Sequence, residues 1–131
     1  MKTISFVEDS FWNHIPKCGG VYFIYSYNNQ IPIRINRVLG TDVEGLLYIG
    51  KSINLRERLR MLWRVLNPKQ NATAHTFGTK YNKNKNLRET FPLNSLYVSF
   101  IITTEPQILE SELLDKYFLQ YGEVPPFNSS K

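Results

Sequence analysis

The stretch from residue 44 to 62, EGLLYIGKSINLRERLRML, combines glycine, tyrosine, lysine and arginine at spacings that could serve phosphate chemistry. Gly45, Gly50, Lys51 and the following serine fit the literal pattern of a nucleotide-binding P-loop, in which backbone amides surround phosphate oxygens. Such a loop needs residues that curl between its glycines and a buried strand before the first of them. Residues 46–49 are Leu, Leu, Tyr and Ile, which favour extended chain, so we interpret this stretch as a strand ending at Gly50.

The elements that would position these residues follow from hydrophobic periodicity. Three segments rich in β-branched and aromatic residues predict strands: 19–27, 46–50 and 96–104. Apolar residues at helical spacing predict one helix over 55–66, capped by Asn54, and another over 105–121. The polar stretch 67–94 is expected to be a long basic loop with at most one short helical turn. This order of elements favours a single α+β domain, 1–131, on a small antiparallel sheet flanked by helices.

Composition narrows the class of protein. Sixteen basic and eleven acidic residues give a net charge of +5, which favours a polyanionic partner. No apolar run approaches the roughly 18 residues of a membrane span, and acidic residues interrupt the N-terminal stretch too early for a signal peptide. The one cysteine, Cys18, has no partner for a disulfide and no neighbours at zinc-ligand spacing. We therefore expect a cytoplasmic protein with no membrane association.

Two tripeptides, Gly-Val-Tyr at 20–22 and Tyr-Ile-Gly at 48–50, are each placed on a predicted strand. With the lysine and the arginine-bearing helix that follow, they resemble the GIY-YIG nuclease superfamily, which includes repair, restriction and homing endonucleases. That family also expects an arginine on the helix after the second motif, a glutamate on a later helix and an asparagine near the end of the domain. Arg58, Glu110 and Asn128 match these in order. The resemblance implies a stand-alone metal-dependent endonuclease that hydrolyses phosphodiester bonds in DNA.

The choice of Glu110 has independent support from helix geometry. At about 100° per residue, the apolar residues of 105–121 centre near 90° from Leu109, and Glu110 falls at about 100°. A carboxylate directed into a core costs several kcal/mol unless a cation, metal or hydrogen bond compensates. A bound metal and an arginine partner are both sufficient reasons. The same geometry leaves Arg56 and Arg58 as equal candidates on the preceding helix, and only the resemblance selects Arg58.

Further roles are carried by the resemblance. It implies one Mg²⁺ or Mn²⁺ with Glu110 as its only protein ligand, and Arg58 holding the scissile phosphate. A free phenol titrates near pH 10, so we expect Lys51 to lower the pKa of a motif tyrosine. Water activation is assigned to Tyr22 and its orientation to Tyr48, although these two roles could be exchanged.

Supporting contacts are expected elsewhere in the chain. Asn128 should hydrogen-bond near the tyrosines or to a backbone, and His75 could assist proton transfer, as a histidine does in some relatives. A basic segment with an aromatic residue inside it could neutralise phosphates and stack on a base. Its members are Lys80, Tyr81, Lys83, Lys85 and Arg88. The alternative is a solvated surface loop.

The chain departs from the family in the long connection 23–47 between its two motifs, which we expect to form an inserted hairpin. No appended DNA-binding domain is visible, so target choice would come from loops, from a homodimer or from a recruiting protein. RNA stays open as a substrate besides DNA. The competing hypothesis is a catalytically inactive nucleic-acid-binding module of the same fold.

Overall fold

The computed structural model describes residues 3–66 and 76–129. Its strands are β1 (Ile4–Ser5), β2 (Gly20–Asn28), β3 (Ile31–Pro32), β4 (Ile35–Arg37), β5 (Gly40–Asp42), β6 (Leu46–Ser52) and β7 (Leu96–Ile102). Its α-helices are α1 (Leu55–Leu66), α2 (Thr76–Lys83), α3 (Lys85–Thr90) and α4 (Pro106–Tyr121). Short 3₁₀ helices cover Phe11–His14 and Leu93–Ser95.

The centre of the sheet is β2, which is antiparallel to β6 on one side and to β7 on the other. β1 extends the sheet beyond β7, and β3 pairs with the last residues of β2. Tyr22 lies opposite Gly50 on β6 and opposite Phe100 on β7. The two tripeptide motifs therefore occupy adjacent, directly bonded strands.

Side chains of β2 alternate between two apolar clusters, one on each face of the sheet. Tyr22 and Ile24 pack in the cluster that contains the leucines of α1 and the aromatic residues of α2. Val21 and Phe23 pack in the other, with Leu114 of α4. Burial on both faces explains why this strand is an almost unbroken apolar run in the sequence.

The long connection 23–47 contains the end of β2, then β3, then a hairpin formed by β4 and β5, so the expected inserted hairpin is confirmed. Polar contacts join this inserted segment to the C-terminal part of α4. Arg37 forms an ion pair with Glu123 at 2.5 Å, and the buried carboxylate of Asp42 accepts a 2.8 Å hydrogen bond from the Tyr117 hydroxyl. These contacts fix the insert on the α4 side of the sheet.

The predicted α+β class, with a small antiparallel sheet flanked by helices, is confirmed. The expected loop over 67–94 is wrong for residues 76–90, which form α2 and α3. Phe77 and Tyr81, one helical turn apart, are buried, and Asn84 caps α3. Within the described ranges, no helix is long and apolar enough to cross a bilayer.

The absence of a side chain at Gly50 is what allows Tyr22 to lie across β6. A Cβ built on Gly50 would be 2.3 Å from Cζ of Tyr22 and 2.5 Å from its hydroxyl oxygen. Tyr22 is fully buried, so its ring has no free space into which it could retreat. The glycine of the second motif is therefore required by the tyrosine of the first.

We predict that Gly50→Ala lowers the free energy of unfolding by about 1–3 kcal/mol, the usual cost of overpacking a tight site. Urea denaturation would measure it. Removing the ring end with Tyr22→Leu should make the additional cost of Gly50→Ala much smaller, because the two substitutions share one contact. Additive costs in the double variant would contradict this account.

Candidate active site

Tyr22 and Tyr48 project from adjacent strands on the face covered by α1 and α2, with ring centroids 6.0 Å apart. Their hydroxyls are joined by a hydrogen bond, and Arg58 of α1 donates a second one to the Tyr22 hydroxyl. The bond between the phenols raises the pKa of Tyr22 and lowers that of Tyr48, so it favours the phenolate form of Tyr48 over that of Tyr22. The two expected catalytic tyrosines and the expected arginine thus form one hydrogen-bonded cluster.

Burial is the main influence on both phenols. It raises the pKa of Tyr22, which has no exposed surface, far above its ordinary value. It also raises the pKa of Tyr48, which keeps 9% of its surface exposed. The positive charge of Arg58 opposes this effect at both hydroxyls, while the negative charge of Glu110 adds to it at Tyr48. Tyr48 is therefore the phenol whose pKa responds to the carboxylate and whose side chain reaches solvent.

The structure separates the two arginines that helix geometry left equal. Arg56 donates from Nε to the carbonyl of Ile15 at 2.7 Å, and so braces the N-terminal segment against α1. Arg58, half-buried, turns instead to the tyrosines. The arginine indicated by the resemblance is the one that lies beside the phenols.

Glu110 lies on the sheet-facing side of α4, as its helical angle predicted, but at the rim of that face and not in the core. Its side chain is 20% exposed, and its Oε1 lies 3.6 Å from Nζ of Lys51 on β6. The sequence left a bound metal and an arginine as explanations for this inward carboxylate. The side chain that the structure places beside it is a lysine.

Lys51 was expected to lower the pKa of a motif tyrosine, but in the structure it pairs with Glu110 instead. Side chains alternate along β6, so Lys51 follows Ile49 onto the α4 face, whereas Tyr48 lies on the α1 face. The cation that lowers the pKa of both phenols is Arg58.

Asn128 joins the chain end to the second motif. Its Oδ1 accepts from the amide of Ile49 at 3.0 Å, and its Nδ2 donates to the carbonyl of Ile49 at 2.9 Å. The amide of Phe127 also donates to the carbonyl of Leu47 at 2.9 Å. This segment supplies the hydrogen bonds that a further strand would give to the outer edge of β6, which is the backbone role expected of Asn128.

A groove of about 590 Å³ opens beside Lys51, between the end of β6 and the start of α4. Its walls include Ile53, 90% exposed, and Ile108, 54% exposed. Sequence reasoning missed this groove. The available signal was the isoleucine after Gly-Lys-Ser, an apolar residue in a turn with no helical or strand partner.

The basic segment is helical, and this changes one of its expected contacts. Tyr81 is buried, stacks on Phe77 and donates its hydroxyl to the carbonyl of Phe91 at 2.7 Å, so the predicted stacking of Tyr81 on a base is wrong. Of the four cations, Lys83, Lys85 and Arg88 are exposed and Lys80 is half-buried. Lys85 also pairs with Glu89 at 3.7 Å. His75 lies outside the described residues.

The carboxylate of Glu110 fits a hydrated divalent ion better than a closed metal site. In the part of the chain that the structure describes, no three His, Cys, Asp or Glu side chains come together to hold a metal. Mg²⁺ characteristically keeps several waters and binds through one or two carboxylates together with substrate phosphate. A partly exposed single carboxylate supplies that donor set.

Comparison of the chain with protein-family models, with characterised proteins and with solved structures found no match. The assignment of function therefore depends on the geometry of the site.

We predict that Asn128→Leu costs about 1–3 kcal/mol of unfolding free energy, because both backbone groups of Ile49 lose their partner. Amide hydrogen exchange at Ile49 should accelerate in the same variant. Ser129→Ala, at the exposed neighbouring position, is the control and should change neither quantity. Unchanged exchange at Ile49 in Asn128→Leu would refute the clamp.

Proposed function

We propose that this protein is a cytoplasmic, metal-dependent endonuclease of GIY-YIG type that hydrolyses phosphodiester bonds in DNA. One observation carries the proposal: Arg58 hydrogen-bonds to the tyrosine of the first motif, and the charge of Glu110 acts on the tyrosine of the second. These four residues come from β2, β6, α1 and α4, and they span positions 22 to 110 of the chain. Such a combination matches what phosphodiester hydrolysis requires, namely a proton acceptor, a phosphate-binding cation and a metal-binding carboxylate.

The residues divide these tasks in the following way. Tyr48, in its phenolate form, accepts a proton from the attacking water and becomes the neutral phenol. Arg58 offers guanidinium N–H groups to the phosphate, a geometry well suited to paired oxygens. Glu110 would hold Mg²⁺ or Mn²⁺, which when bound stabilises negative charge on the phosphate and the leaving oxygen. Asn128 positions β6 through Ile49.

The roles of the tyrosines are thereby exchanged relative to the sequence expectation. A water activator must reach solvent, and Tyr22 has no exposed surface. Its hydroxyl, bonded to both Tyr48 and Arg58, suits the orienting role instead. The hydrogen bond between the two hydroxyls lowers the pKa of Tyr48, because it stabilises the phenolate form of this residue.

The competing hypothesis, an inactive nucleic-acid-binding module, is favoured by one feature: Glu110 already has a cationic partner in Lys51. Both hypotheses use the basic side chains of α2 and α3, among them the exposed Lys83, to contact phosphates. Cleavage of DNA separates them.

We predict that the purified protein cuts plasmid or branched DNA in the presence of Mg²⁺ or Mn²⁺. Glu110→Gln and Arg58→Lys should each reduce the rate at least about 100-fold, the usual loss when one charge-stabilising group is removed. Glu112→Gln and Arg60→Lys are matched controls on exposed positions of the same two helices and should cut like the wild type. Equal cutting by all variants would mean a contaminating nuclease.

We predict that the cleavage rate rises about tenfold per pH unit between pH 7 and 9. The raised pKa of Tyr48 keeps this phenol protonated at neutral pH, so its reactive fraction grows tenfold with each unit below that pKa. Tyr48→Phe should be slow and lose this slope, whereas Tyr22→Phe should keep it. Single-turnover rates at saturating metal are the measurement, and an undiminished slope in Tyr48→Phe would assign the proton acceptor elsewhere.

A further inference from the structure

The contact between Lys51 and Glu110 is an ion pair and not a tight hydrogen bond. The two charged atoms lie 3.6 Å apart, whereas charge-assisted N–H···O bonds are about 2.7–2.9 Å long. The lysine is 43% exposed and the glutamate 20% exposed. The ammonium is therefore close enough to compensate the carboxylate but is not locked to it.

The position of Lys51 allows this compensation to be reversible. Its backbone is fixed by pairing with Val21 in the centre of the sheet, while its side chain also lines the 590 Å³ groove at the end of β6. A lysine carries a compact charge on a flexible four-carbon stem, so its ammonium can move between the two locations without a change in the sheet.

We propose that Lys51 is a placeholder cation, which occupies Glu110 while no metal is bound and competes with a divalent ion for that carboxylate. This inference rests on the proposed function, because it takes Glu110 as the metal ligand. When a metal binds, the ammonium leaves Glu110 and turns into the groove, where it can contact a substrate phosphate.

The expected effect of the competition on metal affinity is small. A partly exposed ion pair contributes little free energy, and its loss on metal binding should weaken the affinity for the ion about twofold to fivefold. Neutralising Lys51 should therefore tighten metal binding, which is the opposite of the usual result of removing a residue from an active site. It should also weaken DNA binding, because the groove loses its cation.

The test is Mn²⁺ binding to the DNA-free protein, followed by electron paramagnetic resonance of the free ion. Lys51→Gln should bind Mn²⁺ about twofold to fivefold more tightly than the wild type, and Lys51→Arg, which retains the charge, should stay near the wild type. Lys116→Gln removes the same charge from an exposed position of α4 on a different side of the helix and controls for the overall change in net charge. It should leave the Mn²⁺ affinity unchanged.

Two outcomes overturn the inference: equal or weaker Mn²⁺ binding by Lys51→Gln, or equal tightening in Lys51→Gln and Lys116→Gln. Glu110→Gln distinguishes this failure from failure of the proposed function. Loss of Mn²⁺ binding in Glu110→Gln supports the carboxylate as the ligand whatever Lys51 does. Undiminished Mn²⁺ binding by Glu110→Gln would contradict a metal site at this carboxylate. It would overturn both the proposed function and the role proposed for Lys51.

Discussion

The pairing of β2 with β6 places a tyrosine ring directly over a glycine, and the candidate site depends on this one packing contact. Tyr22 fills the space that a side chain at Gly50 would need. The contact holds its hydroxyl within hydrogen-bonding reach of Tyr48 and Arg58, and it buries the ring completely. Asn128 then closes the other edge of β6 at Ile49, so the strand that carries the second motif is held from both sides.

Charge balance explains why this cluster is stable before any ligand arrives. Burial keeps both phenols neutral, since desolvation raises the pKa of each. Arg58 is compensated by its hydrogen bond to the Tyr22 hydroxyl, and Glu110 by the ammonium of Lys51. Each charge thus has a partner weaker than a phosphate or a divalent ion would be, which is the condition that the proposed exchange of internal partners for external ones requires.

The sequence predicted those parts of the fold in which apolar residues recur with a single clear pattern. The apolar stripe of α4 placed Glu110 on the inner face, and the unbroken apolar run of β2 predicted a buried strand. The sequence hides the helix around Tyr81 because its two buried aromatic residues, four positions apart, are outnumbered by lysine and asparagine. The sequence does predict that Lys51 lies on the face away from Tyr48, because a residue three positions later on a strand points to the opposite face. The sequence does not predict how exposed each tyrosine is, since that exposure depends on residues far away in the chain.

The location of the site at an edge strand has a functional consequence. Tyr48 lies on the α1 face and Lys51 on the α4 face, so only an edge strand lets groups from both faces act on one substrate without a strand between them. A central strand would have separated Arg58 from Glu110 by the full thickness of the sheet. Closing that edge with a complete further strand would block access, whereas the two hydrogen bonds of Asn128 satisfy the backbone of Ile49 and leave the residues beyond it open. The short, local clamp is therefore the arrangement that combines a fixed β6 with an accessible Lys51 and the groove beside it.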